Sequence, residues 1–449
     1  MFDTVMDLLE NKKYAELRHC LMVMNPVDIG ALLEEVPPED LPLIFRILPK
    51  ELAADTFATL DADTQEVLVS SFSDRELADM MDQMFVDDAV DMIEEMPANV
   101  VKRILAHTPS DIRKTINEIL KYPKDSAGSI MTIEYVDLKR LMTVKEAFDH
   151  IRKTGVDKET IYTCYVTDSD RVLLGMVSVR MLLLADPEES IGDIMETNII
   201  YVNTLEDREE VAKQFDKYDL LALPVVDNEK RLVGIVTVDD AMDVISEEAE
   251  EDFQKMAAMS PTETSYLKTS VWNHARHRIV WLLFLMLSST ITSVIIDNYE
   301  AAFQAIPLLV SFIPMLMDTG GNCGSQSATL IIRSMALDEV TLKDFFRIVW
   351  KELRIALIVG AILAVVNGIR MMLMYGSYPN ILMISIVLGL SLITTITISK
   401  VLGGILPMAA KALHLDPALM ASPLITTIVD ACSVSVYFSF AVAILHINM

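Results

Sequence analysis

Residues Pro314 to Thr329 read PMLMDTGGNCGSQSAT, a polar and glycine-rich segment within an apolar part of the chain. No charged residue lies between Ala301 and Met317, and the next charge after Asp318 is Arg333. Because a bilayer core cannot hydrogen-bond loose backbone, such a segment must face water or other protein groups. A carboxylate at membrane depth indicates an ion or proton path by default. We therefore predict that this segment forms one wall of a cation pathway.

A second polar segment, SPLITTIVDACS from Ser422 to Ser433, carries another intramembrane carboxylate, Asp430. In the first segment Asp318, Asn322 and Gln326 are four residues apart, so they share one face if the segment is helical. Glycines and small polar residues are also common where transmembrane helices pack closely, and this alternative stays open for the glycines. We predict that both segments line one pathway.

The 449 residues carry a formal net charge of −28 that is unevenly distributed. Residues 1–270 hold 56 acidic and 27 basic side chains, whereas residues 271–449 hold 9 and 10. Such an acidic amino-terminal part attracts cations and repels nucleic acid, so we expect no nucleic-acid partner. The chain shows no basic start followed by an apolar run, and the four scattered cysteines form no CxxC pair. We expect residues 1–270 to be cytoplasmic and the cysteines to be reduced.

Residues 1–128 are predicted to form an all-α, superhelical domain of short repeated helices. Its signal is a twelve-residue period in which an apolar residue or turn is followed mostly by Pro, Asp or Ser, residue types that begin helices. The period is marked by Val36-Pro37, Leu48-Pro49, Leu60-Asp61, Phe72-Ser73, Met84-Phe85, Met96-Pro97 and Thr108-Pro109.

One face of this array is strongly acidic, with Asp79, Asp82, Asp87, Asp88, Asp91, Glu94 and Glu95. A charge run of this kind is often a solvated surface. The alternative is a patch that holds hard divalent cations, since carboxylate oxygens suit magnesium and calcium.

Residues 129–250 contain a duplication in which the strand and turn beginning at Val166 return 59 residues later at Val225. This part resembles a tandem pair of cystathionine-β-synthase (CBS) modules, an α/β fold that can bind adenine nucleotides. The family's Gly-h-h-Ser/Thr-x-x-Asp signature is matched from Gly234, where the resemblance implies that Thr237 and Asp240 contact a nucleotide such as ATP. A sensor or dimerisation module without nucleotide is the alternative.

An acidic connecting helix is predicted over residues 246–275, with like charges four residues apart, as in Asp243 with Glu247 and Glu247 with Glu251. Such pairs destabilise a helix by about 0.2–0.5 kcal/mol each unless counter-ions neutralise them. A bound divalent cation would remove the repulsion.

Residues 276–449 are predicted to form a polytopic α-helical membrane domain, because a span takes about 20 mostly apolar residues. We expect bends in the second and fourth spans at Pro and Gly, for example at Pro314. Basic residues fall in alternate loops, which places the amino terminus in the cytoplasm and the carboxyl terminus outside. The five predicted spans are 277–297, 303–332, 353–375, 380–408 and 421–446.

The chain resembles the MgtE family of magnesium transporters over nearly its whole length. The resemblance rests on the helical array, the CBS pair, the acidic connector and the five spans in this order. The resemblance implies a homodimer in the inner cell membrane with its ion path on the two-fold axis. It implies that Asp430 of each subunit holds a hydrated Mg²⁺ ion. The pore set that we predict is Asp318, Gly320, Gly321, Asn322, Gln326, Ser422, Thr426 and Asp430. The implied regulatory Mg²⁺ ligands are Asp87, Asp88, Asp91, Asp219, Asp243, Glu248, Glu251, Asp252 and Asp416.

The function expected from these features is Mg²⁺ uptake by a non-enzymatic channel or transporter. Negative feedback would close it when cytoplasmic Mg²⁺ bridges the acidic array, the CBS pair and the connector, and ATP is a candidate second regulator. The alternative is a secondary transporter, coupled to Na⁺ or H⁺, for another divalent cation such as Co²⁺ or Mn²⁺.

Overall fold

The computed structural model describes residues 2–262, 266, 269–299, 304, 306–420 and 422–447. The chain divides into two compact units, Met1–Ser246 and Glu247–Met449. The first contains short helices and two small sheets, and the second contains long apolar helices. All four cysteines are free, as predicted.

The first unit begins with short helices whose starts follow the predicted period. From α5 onward the helices begin at Lys50, Ala62, Asp74, Val86, Ala98 and Ser110, each twelve residues after the last. The bounds are α1 Phe2–Glu10, α2 Tyr14–Leu21, α3 Pro26–Glu35, α4 Leu41–Phe45, α5 Lys50–Ala58, α6 Ala62–Ser71, α7 Asp74–Met81, α8 Val86–Glu95, α9 Ala98–His107 and α10 Ser110–Ile119. The twelve-residue period is therefore confirmed as a helix repeat.

Side chains at the helix starts explain why the period is so regular. Asp61 accepts a hydrogen bond from the backbone N–H of Thr64, and Ser73 forms a reciprocal capping box with Glu76. Prolines such as Pro49 stand immediately before other helices. These residues satisfy or remove the N–H groups that a first turn leaves unpaired, so each helix has a fixed start.

Residues after α10 form two three-stranded sheets with the same topology. In each, the first strand pairs in parallel with the second, and the second pairs antiparallel with the third. The strands are β1 Asp137–Lys139, β2 Thr163–Thr167, β3 Leu173–Ser178, β4 Val202–Asn203, β5 Ala222–Val226 and β6 Leu232–Thr237, and the helices are α11 Val144–Thr154, α12 Val179–Leu184, α13 Ile191–Ile194 and α14 Arg208–Tyr218. The duplication predicted from the sequence is confirmed.

Each module completes the sheet of the other. The segment before β1 bridges β6 at Thr132 and Ile235, and the segment before β4 bridges β3 at Glu196 and Met176. A side chain at Gly234 would lie 2.7 Å from the carbonyl oxygen of Thr132, so this crossing requires glycine. The exchange brings the first segment of one module against the signature of the other.

The second unit consists mainly of long helices. Helix α15 (Val238–Met256) begins in the first unit and ends in the second. The helices that follow are α16 Val271–Asp297, α17 Ile313–Ala336, α18 Phe345–Tyr375, α19 Ile381–Ala412 and α20 Ser422–Leu445. Pro314 stands in the first turn of α17, directly after the 3-10 helix Pro307–Phe312, so the predicted second span changes helix type at this proline. Proline fits there because a first-turn N–H has no partner to lose.

Four helices in the described part of the chain are long and apolar enough to cross a membrane: Val271–Asp297, Leu342–Tyr375, Ile381–Ala412 and Pro417–Leu445. They correspond to the first, third, fourth and fifth predicted spans. Helix α17, at 24 residues, is about 36 Å long but less apolar than these four. The start of the predicted 303–332 span lies outside the described residues.

The helical array depends on an aromatic cluster, which gives a first prediction. Phe57 is fully buried, and its ring centroid lies 6.0 Å from that of Phe45 and 6.2 Å from that of Phe72. We expect Phe57→Ala to lower the free energy of unfolding of this region by about 3–5 kcal/mol, because it removes core contacts and leaves a cavity. Hydrogen exchange of α4–α6 in the full chain under denaturant measures this. Val27→Ala, at an exposed position, should change it by less than about 0.5 kcal/mol, and equal effects would contradict the prediction.

Candidate functional site

Helix α17 separates its polar residues from its glycines. Asp318, Asn322 and Gln326 lie exposed on one face of the helix within the single chain. Gly320 and Gly321 are buried, where an added side chain at Gly320 would meet Val429 and Thr395 at 2.8 Å. The glycines therefore allow close packing, and their role as pore residues stays a prediction.

Helix α20 brings the second carboxylate beside α17. Asp430 is partly buried, and Asp318 is the charged group that acts on it. Thr426 lies against Gly321, with its methyl group 2.8 Å from the position that a side chain would take there. Ser422 is the first residue of α20, and its side chain is outside the described residues. The two sequence segments thus come together, with two carboxylates close enough to repel.

A cluster of carboxylates lies in the first unit, where α8 meets the CBS modules. Asp87 is 7% exposed, and burial together with the charges of Asp240, Asp88 and Glu159 holds its pKa well above the usual range. We call Asp87, Asp88, Glu134, Glu159, Asp239 and Asp240 the acid cluster. Asp87 and Asp88 of the predicted acidic face are therefore not evenly solvated. They lie beside other carboxylates that repel them.

Other members of the acid cluster are perturbed in the same direction. Burial raises the pKa of Asp88 to about 6, and the charge of Asp239 adds to this. Burial and Asp239 raise the pKa of Glu159 to about 7. Burial also raises the pKa of Asp240 to about 6, although the hydrogen bond from Thr237 acts in the opposite direction. The charges that raise these pKa values are all negative, which favours a cation at this position.

The two predicted nucleotide residues contact each other. The hydroxyl group of Thr237 donates a hydrogen bond of 2.5 Å to Asp240 Oδ2. Because Asp240 belongs to the acid cluster, a free phosphate group there would meet negative charge. The structure therefore places this residue with the predicted regulatory metal ligands Asp87 and Asp88.

Several other predicted metal ligands lie apart from one another. Asp219 is exposed and ends α14 in the left-handed conformation, with φ of 52°. Asp243 lies on α15 one turn beyond Asp239, and burial with the charge of Asp239 raises its pKa. Asp91 is exposed on α8, one turn after Asp87.

Within the second unit, a lysine joins the connecting helix to the loop before α20. Lys255 Nζ lies 2.5 Å from Glu251 Oε1 and 2.7 Å from Asp416 Oδ2. Burial alone would lower the pKa of Lys255, but its bonds to Asp416 and Glu251 outweigh this and raise it. Two predicted metal ligands are therefore already paired with one protein cation, which leaves a single net negative charge on the three groups. Glu248 and Asp252 are further residues of the same helix.

Sequence reasoning missed Glu134, Glu159, Asp239 and Lys255. The available signals were Asp239 in the GIVTVDD signature and Glu134, which stands two residues after the Ile130-Met131-Thr132 start of the first copy. Within the described ranges, no three His, Cys, Asp or Glu side chains lie close enough to hold one metal ion directly.

Comparison with known proteins agrees with this arrangement of parts. Residues 313–440 match MgtE, described as a divalent cation transporter. Residues 24–125 match the MgtE intracellular N domain, and residues 127–188 and 191–247 match the CBS domain. The chain is 34% identical over 442 residues to the magnesium transporter MgtE of Thermus thermophilus, covering 98% of this chain and 97% of that protein. The chain belongs to the MgtE family of divalent cation transporters.

Other relatives agree with this membership. The magnesium transporter MgtE of Bacillus subtilis is 32% identical over 439 residues, covering 98% of this chain and 96% of that protein. A crystal structure of the cytosolic domain of the Mg²⁺ channel MgtE in complex with ATP matches with a TM-score of 0.52 at 34% identity, covering 54% of this chain and 100% of that one. This MgtE-family protein is a membrane transporter with a cytosolic N domain, a CBS pair and several apolar helices.

The raised pKa values of the acid cluster predict an unusual pH dependence. In the folded state Asp88, Asp240 and Glu159 bind protons more tightly than unfolded carboxyl groups do. Stability therefore rises as the pH falls from about 7 towards 4. Without divalent cations, we expect the melting temperature of the first unit in the full chain to be about 3–6 °C higher at pH 5.5 than at pH 7.5.

Scanning fluorimetry with and without Mg²⁺ measures both effects. The stabilisation by Mg²⁺ should shrink at pH 5.5, because protons compete for the same carboxylates. Glu159→Gln should flatten the pH dependence, whereas Asp28→Asn, an exposed acid in the first turn of α3, should leave it unchanged. A melting temperature that falls on acidification without Mg²⁺ would contradict the prediction.

Proposed function

We propose that this protein is a homodimeric, Mg²⁺-selective channel or transporter that takes up magnesium across the cell membrane. The observation that carries the proposal is the exposed face of Asp318, Asn322 and Gln326 beside Asp430 in an otherwise apolar helical unit. Oxygen-rich side chains at membrane depth suit a hard cation. The names of the Thermus and Bacillus relatives, both magnesium transporters, support the choice of ion.

Repulsion between the two carboxylates supports a divalent cargo. A divalent ion gains about twice the Coulomb energy of a monovalent ion beside the same charges, and the gain grows where water is excluded. Mg²⁺ sheds its waters reluctantly, so a pathway lined by one Asp430 from each of two copies would hold a hydrated ion. Thr426 and Gly321 would narrow the path beside it. The ion is the substrate, and these side chains supply charge and polar contacts.

We infer that α17 is a fifth span and that a second copy covers its polar face. A single copy would expose Asp318 and Asn322 to lipid, which is costly. Two-fold pairing would instead enclose these faces around a wet axis. Five spans place the termini on opposite sides, and the basic residues Arg333, Lys343 and Arg347 between α17 and α18 favour a cytoplasmic amino terminus.

Regulation in this proposal is negative feedback by cytoplasmic Mg²⁺. Mg²⁺ would neutralise the acid cluster and hold the helical array, the CBS pair and the start of α15 together. When Mg²⁺ falls, the uncompensated carboxylates would push these parts away from each other. ATP is a second candidate regulator, supported by the ATP complex of a related cytosolic domain. Because Asp240 lies in the acid cluster, the phosphates of ATP at Thr237 would be repelled unless a cation stays bound to them.

The central test is Mg²⁺ flux through purified protein in liposomes that contain a Mg²⁺ indicator. We expect Asp430→Asn to reduce uptake by about tenfold or more, because it removes the attracting charge from both copies. Asp338→Asn is the matched control, since Asp338 has φ of 53°, a conformation that asparagine also adopts. Wild-type uptake by Asp430→Asn would contradict the proposal. Loss of uptake when Na⁺ or H⁺ gradients are dissipated would instead indicate coupled transport.

The feedback is tested by limited proteolysis of the full chain. We expect Mg²⁺ to slow cleavage within residues 240–270, because the ion removes repulsion around Asp239 and Asp240. Asp87→Asn combined with Asp88→Asn should weaken the Mg²⁺ response, since two attracting carboxylates are lost. Cleavage that is the same with and without Mg²⁺ would refute the coupling.

A further inference from the structure

Three polar side chains meet inside the second unit on the side of α17 that faces away from the polar residues. Ser327 of α17 donates a hydrogen bond of 2.6 Å to Glu352 Oε2 of α18. Lys400 Nζ of α19 donates to the same Ser327 hydroxyl group at 3.3 Å. Ser327, Glu352 and Lys400 are 2%, 7% and 6% exposed. The transport pathway proposed above uses none of these three residues.

Burial of this kind needs an explanation, because isolated charges are costly inside a membrane domain. Glu352 and Lys400 carry opposite charges and share one hydroxyl group, so the group as a whole is close to neutral. A buried pair of this type adds little net stability compared with apolar residues, but removal of one partner leaves the other charge uncompensated. Such a pair is best explained by the one packing arrangement of the helices that it specifies.

The position of the trio on α17 shows what it can enforce. Gly320, Gly324 and Ser327 lie on one face of the helix, directed at α19, whereas Asp318 and Gln326 lie on the exposed face. Ser327 directly follows Gln326 in the chain. Any rotation or sliding that moves the Ser327 hydroxyl group away from Glu352 and Lys400 therefore also moves the exposed face.

Contacts along the rest of this face are close but not charged. The hydroxyl group of Ser399 donates a hydrogen bond to the carbonyl oxygen of Gly320. Gly403 lies so near the Gly324 carbonyl oxygen that a side chain could not fit. These contacts set the distance between α17 and α19. The Ser327 trio adds a chemically specific contact, because only one register places a hydroxyl group between the carboxylate and the ammonium.

We propose that Glu352, Lys400 and Ser327 form a buried latch that fixes the register of α17 and thereby determines the ion selectivity of the pathway. They are positioning residues, since they act through α17 and do not touch the ion. The inference rests on the proposed transport function. A slip of one residue would move the exposed side chains by about 1.5 Å along the helix and about 100° around it. Such a slip would misalign Asp318 with Asp430.

The test compares Mg²⁺ and Ca²⁺ flux in liposomes for matched variants of the full chain. Ca²⁺ is larger than Mg²⁺ and accepts more flexible coordination, so a displaced α17 should discriminate less between them. We expect Glu352→Gln to reduce Mg²⁺ uptake by about tenfold and to lower the Mg²⁺-to-Ca²⁺ uptake ratio, because Lys400 is left uncompensated. Glu352→Gln combined with Lys400→Met should restore the ratio to within about threefold of wild type, since neither charge remains.

Two further variants keep the test decisive. Glu352→Asp retains the charge but withdraws the carboxylate from Ser327, so it should lower the ratio even if Glu352→Gln does not fold. Arg354→Gln removes a charge from an exposed position two residues away and should leave the ratio unchanged. Thermal unfolding of each purified variant separates misfolding from altered selectivity.

The outcomes distinguish the latch from the transport function itself. An unchanged ratio in folded Glu352→Asp or Glu352→Gln, with Asp430→Asn inactive, overturns the latch and leaves the pathway intact. Reduced uptake of both ions at a constant ratio also overturns it, because that result indicates a purely structural role. Wild-type uptake by Asp430→Asn overturns the proposed pathway before the latch is considered.

Discussion

Carboxylates lie close enough to repel one another in both units of this protein, and the packing around them must hold them there. In the first unit, burial and the charges of Asp240, Asp88 and Glu159 together raise the pKa of Asp87. In the second, Asp318 acts on Asp430 within an apolar surrounding. Folding holds these groups together through the helix packing around them, and a divalent cation is the simplest means of relieving the repulsion. The same physical problem thus occurs in both units.

The sorting of polar groups on α17 follows from the environment of each face. Gly320 and Gly324 let α19 approach closely, while the oxygen-bearing side chains stay on the exposed face. Lipid cannot hydrogen-bond polar side chains, so in the proposed pathway the exposed face would border water while the glycine face packs against α19. The buried side chains of Glu352 and Lys400 fit this division, because both hydrogen-bond the Ser327 hydroxyl group on the packed side.

The sequence predicted features that repeat or alternate along the chain. The twelve-residue period located the helix starts from Lys50 to Ser110, and the 59-residue repeat located both CBS sheets, because local caps and alternation determine these elements. The acid cluster was only half predicted. Glu134 and Glu159 come from segments with no metal-binding pattern of their own, and only the exchange of segments between modules brings them to Asp240. Likewise, no sequence pattern around Lys255 predicts its contact with Asp416, which lies far along the chain.

The acids assigned to magnesium sensing are therefore not equivalent. Glu251 and Asp416 already share a lysine ammonium, a fixed charge that does not depend on the Mg²⁺ concentration. The charges that raise the pKa values of Asp87 and Asp240 are all negative, so these groups gain most from a soluble cation. An ion shifts the balance between two arrangements of a protein only by the difference in its affinity for them. In the proposed feedback the acid cluster of the first unit is therefore the part expected to respond to Mg²⁺, whereas Lys255 already pairs the end of α15 with Asp416.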